Sequence, residues 1–237
     1  MTPASATLYS LEIPFVEAFT HGTKDRTASD AIVVQVTDTD GNVGYGEGLP
    51  RPYVTGESVS FLMEHVAEVL WPKVAGKPFK PLETTADIAQ FDSALGTPSS
   101  PGIRAPNASR CSLEIALLDC ALRAQNMGVG ELLPPLRQEV RYDGVLTAAD
   151  PTKAAKIAKQ MKLIGLEQFK IKVGLGEDEE RIRRVREVLG TQVPLRVDAN
   201  GTWHPDEAAD ALRPLAALGV THVEAPIPCS DPETLAS

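Results

Sequence analysis

Two lysines, an aspartate and a glutamate stand at or near the C-terminal ends of three short apolar runs. The runs are Phe169-Lys170-Ile171-Lys172-Val173-Gly174, Leu195-Arg196-Val197-Asp198-Ala199-Asn200-Gly201 and His222-Val223-Glu224-Ala225-Pro226-Ile227. Lys172, Asp198 and Glu224 follow one another at a spacing of 26 residues. Asp198 and Glu224 are hard oxygen ligands suited to Mg²⁺, or to Mn²⁺, and a divalent ion there can act as a Lewis acid on a substrate carboxylate. Removing a proton beside a carboxylate creates a dianionic enolate, so charge stabilisation must supply much of the catalysis. Lys172 is the natural base if a nearby cation and Lys170 lower its pKa. Strand alternation puts Lys170 and Lys172 on one face. Asn200, two residues beyond Asp198, is placed to hydrogen-bond the metal site or the substrate.

Each residue also has a plainer reading. Lys-x-Lys at a strand end is commonly a solvated rim, Asp-Ala-Asn-Gly is good turn chemistry, and Glu224 before Ala-Pro can cap a strand exit. Glu47, His204 and His222 read as structural or solvated. His21 and Arg26 touch substrate only if the loop that carries them is a lid. The combination is more specific than any part, because one period repeats the same placement.

A regular period with helical text between apolar runs describes strand–helix units of a parallel sheet or barrel, whose chemistry collects at the C-terminal strand ends. The spacing predicts strands at 140–146 and around Lys170, Asp198 and Glu224. Helices are expected over 150–164, 177–189 and 205–218, with a further helix starting near Ser230. The text before residue 138 differs. Strands are expected at 5–14, ended by Pro14, and at 31–37 and 43–48, with a long loop from Phe15 to Asp30. Helices follow over 59–74, 82–95 and 108–126, with a Pro/Ser/Gly loop between Gly96 and Pro106. The expected domains are 1–137 and 138–237.

The formal net charge of −9 argues against nucleic acid and anionic membranes as partners. No apolar run is long enough to span a bilayer and the N-terminus lacks a signal pattern, so a cytoplasmic protein is expected. Cys111, Cys120 and Cys229 lack metal-ligand spacing and fit reduced thiols.

The chain resembles the enolase superfamily, in its muconate-lactonizing and dipeptide-epimerase-like branch. The resemblance rests on Lys170-Ile171-Lys172, Arg196-Val197-Asp198-Ala199-Asn200-Gly201 and Val223-Glu224-Ala225-Pro226, with Asp40-Gly41-Asn42-Val43-Gly44-Tyr45-Gly46-Glu47 and the helix around Leu113–Leu122 upstream. It implies an α+β N-terminal capping domain on a β/α barrel of the TIM type, of which about the first half, some four strands, is present. Loops near 15–30 and 50–56 would cover the site, which makes Phe19, Arg26 and Tyr53 candidates for substrate contact. Asp198 and Glu224 would bind Mg²⁺, Lys172 would be the acid/base on one face, and Lys170 would hold or polarise the substrate carboxylate.

The family pattern also calls for a third metal carboxylate and a second lysine on later strands, and the text ends before either. The expectation is a fragment or a truncated chain, inactive unless the missing half is supplied, and a homo-oligomer when complete. The implied activity is a Mg²⁺-dependent isomerase acting through a metal-stabilised enolate, an epimerase or racemase of a dipeptide or amino-acid derivative. The alternatives are a cycloisomerase or dehydratase acting on a cyclic acid, as in muconate cycloisomerase or o-succinylbenzoate synthase, and an inactive scaffold or binding protein.

Overall fold

The computed structural model describes residues 1–21, 24–97 and 106–228. The chain divides into two units, Met1–Glu17 with Thr27–Gln138, and Ala18–Arg26 with Glu139–Ser237.

The first unit is built on a three-stranded sheet in the order β1 (Pro3–His21), β2 (Lys24–Asp38), β3 (Val43–Gly48). β2 and β3 pair antiparallel, with Val34 opposite Gly46. The expected loop from Phe15 to Asp30 is instead strand on both sides of residues 22–23, and Pro14 does not end β1. The reason is position in the sheet: β1 is an edge strand, where a residue without an N–H is tolerated. Much of β1 is exposed on both faces, so the apolar alternation that marks a half-buried strand is absent.

Among the described residues, four helical stretches complete this unit. The expected helix over 59–74 is α1 (Val59–Glu64) and α2 (Trp71–Val74) joined by a π-helical turn, His65–Leu70. A 3-10 turn, Thr85–Ile88, runs into α3 (Ala89–Leu95), and α4 is Asn107–Ala124. A short helix not expected from the sequence, α5 (Val129–Leu132), follows. Gly44 and Gly46 of β3 explain how α4 seats. A Cβ on either would collide with α4 backbone, at Ala116 and Cys120 or at Ser112, so only glycine lets the helix lie this close. The buried Ile32, Val34, Val36, Leu113, Leu117 and Phe91 form the core between.

The second unit is a parallel sheet in the order β4 (Asp143–Leu146), β5 (Gln168–Lys172), β6 (Leu195–Asp198), β7 (Val220–Glu224). The helices between are α6 (Pro151–Leu163), α7 (Asp178–Leu189) and α8 (Pro205–Ala217). β4 starts at Asp143, later than expected, and Val140 and Tyr142 are exposed. One sheet face carries Leu146, Phe169, Ile171, Leu195 and Val197, all buried with Ala154, Ala158, Ile182, Val185 and Leu215 of the helices. By alternation the other face carries Lys170, Lys172, Arg196 and Asp198. The expected helix start near Ser230, and Cys229, lie outside the described residues. Among the described residues no helix is long and apolar enough to cross a membrane.

Candidate active site

Strand register assembles the site. Lys172 is paired with Asp198, and Asp198 with Glu224, so three strands end in one row of charged residues. Backbone bonds knit the row beyond the strands: Val173 N donates to Asp198 O (2.9 Å), and Ala199 N to Glu224 O (3.1 Å). Chain direction then changes at once. Asn200 (φ 50°) and Ala225 (φ 43°) lie in the left-handed region directly after these ends, where a non-glycine residue is held only by its surroundings. The Asn200 N–H turns back to Asp198 Oδ1 at 3.0 Å, and Gly201 N donates to Ala225 O at 2.7 Å.

The Lys170 side chain crosses this row. Its Nζ lies 2.8 Å from Asp198 Oδ2 and 2.9 Å from both oxygens of Glu224. Burial works against the Lys170 charge, but the hydrogen bonds and charges of Asp198 and Glu224 prevail and raise its pKa. Lys172 shifts the opposite way. Burial lowers its pKa and the Lys170 charge adds to the effect, against the opposing pull of Asp198. Two lysines two residues apart thus have their pKa values shifted in opposite directions by their surroundings.

Asp198 and Glu224 converge on one positive charge, which fits the donor set of a hard divalent cation; Mg²⁺ commonly takes one or two carboxylates and keeps several waters. The buried Asn200 Oδ1, a neutral oxygen without a hydrogen-bond partner, stands two residues from Asp198. Among the described residues no group of three or more His, Cys, Asp or Glu side chains could hold a metal ion.

Tyr53 stands in the turn after β3, in the first unit. Phe19 on β1 and Arg26 on β2 belong to the segment grouped with the second unit, and Phe19 is described by backbone alone. His222 and Arg196 lie nearer the opposite strand ends, around a cavity of about 180 Å³ in which Arg196 pairs with Asp143.

Sequence reasoning missed Arg181 and Asp178 of α7. Arg181 is wholly buried and donates to the Lys172 carbonyl at 3.0 Å. Its place on the helix face that also carries Ile182, Val185 and Leu189 was the available signal.

Residues 153–237 match the family described as Enolase C-terminal domain-like. The chain is 30% identical over 227 residues to a hydrophobic dipeptide epimerase of Enterococcus faecalis, covering 94% of this chain and 61% of that protein. It is 29% identical over 233 residues to an N-succinyl-L-Arg/Lys racemase of Bacillus cereus, covering 97% and 60%. The solved structure of the Bacillus cereus racemase superposes with a TM-score of 0.88 at 28% identity, over all of this chain and 62% of that one. A dipeptide epimerase of Enterococcus faecalis, solved with Mg and the dipeptide L-Leu-L-Tyr, gives 0.84 at 27%, over 99% and 64%. These likenesses bear out the resemblance to the enolase superfamily, on the side of its dipeptide epimerases and racemases. The chain spans about 60% of the length of the curated relatives it matches.

Proposed function

We propose that this chain carries part of the machinery of a Mg²⁺-dependent isomerase that removes and returns the proton α to a substrate carboxylate. The carrying observation is the Lys170 ammonium shared by Asp198 and Glu224, with Lys172 beside it on the same strand face. Asp198 and Glu224 would hold the divalent ion, which when bound offsets the charge that develops on the substrate carboxylate. Lys172, as the free amine, takes the α-proton onto Nζ, becomes an ammonium, and leaves an enolate. Its lowered pKa favours the amine form that this step needs. Lys170 stays an ammonium and, turned from its carboxylates, holds the substrate carboxylate. Asn200, Arg26, Phe19 and Tyr53 are assigned to substrate contact or to support of the metal site. The first unit is read as a cap, and the parallel sheet as the first half of a barrel.

The substrate class proposed is a dipeptide or an N-acylated amino acid, since the relatives named above act on such compounds. A second reading, elimination through the same enolate, follows from the 23% likeness to an o-succinylbenzoate synthase of Bacillus subtilis. The test is incubation of the chain with Mg²⁺ and a panel of dipeptides and N-acylated amino acids in D₂O, following the α-proton by NMR. Exchange that disappears with Lys172→Ala supports the assignment. Equal exchange in Lys172→Ala removes that residue's role, and no exchange with any compound sinks the activity for this chain.

A further inference from the structure

Arg181 is the largest of the fully buried side chains, with 0% of its surface exposed. Its neighbours on α7, Ile182, Val185 and Leu189, are apolar and buried, so packing alone would be met by methionine or leucine. A guanidinium there is costly to desolvate, and Arg181 Nε is buried without a hydrogen-bond partner. What the charge provides is a clamp on two loops and a strand end. Nη1 donates to Ala149 O, after β4, and to Gly176 O, after β5, both at 3.0 Å. Nη2 donates to Lys172 O at 3.0 Å and pairs with the Asp178 carboxylate. Asp178 Oδ2 in turn accepts from Gly174 N at 2.7 Å. Gly174 (φ +79°) abuts Thr202 of the loop after β6, where a Cβ would collide with the threonine hydroxyl. Lys172, Gly174 and Gly176 are thereby bonded through their backbones to the same ion pair.

We infer that Arg181 is a positioning residue for Lys172: through the Lys172 carbonyl and the loop beyond, it holds the strand end from which the Lys172 amine projects. The inference rests on the acid/base reading of Lys172, but its test does not use turnover. Arg186, on the same helix, supplies the control. It ties the far end of α7 to Gly190 O, Val193 O, Leu218 O and Gly219 O, at 2.7 to 3.1 Å, away from Lys172.

The experiment is acetylation of the full chain with an N-hydroxysuccinimide ester, with the rate at Lys172 read by peptide mass spectrometry. Far-UV circular dichroism checks that each variant is folded. Arg181→Met is expected to raise the Lys172 rate several-fold, Arg181→Lys by less, and Arg186→Met not at all. An unchanged Lys172 rate in Arg181→Met, or an equal rise in Arg186→Met, overturns the inference, since a merely structural arginine would act alike at both places. Should Arg181→Met not fold, Arg181→Lys decides alone, and a rate equal to that of the unaltered chain overturns the clamp. Failure of the acid/base reading is seen separately, as α-proton exchange that survives Lys172→Ala.

Discussion

The Lys170 ammonium is held 2.8 Å from the Asp198 carboxylate, whose side chain is only 9% exposed. A carboxylate buried to this extent at a strand end needs a positive partner, and Lys170 supplies one while also contacting Glu224. A divalent cation that used both carboxylates would have to displace it. Lys170→Met is therefore expected to bind Mg²⁺ or Mn²⁺ more tightly, by up to about tenfold, and Asp198→Asn to bind more weakly than the unaltered chain. Calorimetric titration checks both. Equal affinity in Lys170→Met would show that the ammonium and the metal do not compete.

Lys172 should set the lower limb of any pH–activity profile. Its pKa is lowered below the ordinary lysine value of 10.5, and the base is the deprotonated amine. Exchange therefore appears as pH rises through the lowered pKa and is lost as pH falls below it. Lys172→Ala should reduce exchange by about 10²- to 10⁴-fold. Lys172→Arg should do no better, because a guanidinium does not deprotonate in this range. A profile still rising only near 10.5 would contradict the lowered pKa.

His65 should make the first unit acid-sensitive. Its ring is buried, stacks on Phe61 at 5.3 Å, and has Nδ1 without a partner. Burial lowers its pKa below the ordinary 6.5, Glu57 opposes and Lys73 adds to the lowering. A depressed folded pKa means that the unfolded chain binds the proton more readily. The stability is complete above pH 6.5 and falls away as pH drops through the folded value. His65→Phe should remove that part of the pH dependence. Thermal unfolding between pH 7 and 5 gives the answer, and identical slopes for both proteins would dismiss the role.

Gly46→Ala should destabilise the first unit by more than about 3 kcal/mol, since the added methyl meets α4 backbone that cannot give way locally. Gly76→Ala is the comparison: its Cβ would meet open space, although its φ of +70° adds a smaller strain. Urea unfolding of the two separates contact from conformation.

The Cys120 thiol should be inert in the folded chain. Burial, and the Asp38 charge with it, push its pKa up to about 11, leaving little thiolate near neutrality. Mapped alkylation should mark Cys111, which is exposed, well before Cys120. Comparable rates in the folded protein would refute this.

The sequence by itself determined the alternation of strands and helices in the second unit, and the residues that share its charged strand ends. Those signals are local: a period of two puts Lys170 and Lys172 on one face, and a constant spacing of 26 residues returns Asp198 and Glu224 to matching strand ends. The strand expected at 43–48 was legible from equally local signals and is β3. Only the tertiary structure decided the rest. The reach of β1 and β2 depended on β1 being an edge strand, which excuses Pro14 and leaves no one-sided apolar pattern to read. That Lys170 would turn to Asp198 and Glu224, and not to solvent, depended on strand register across 54 residues of chain. The role of Arg181 was not legible, because three of its acceptors are carbonyls of Ala149, Lys172 and Gly176, and a backbone carbonyl has no residue type to betray it in the sequence.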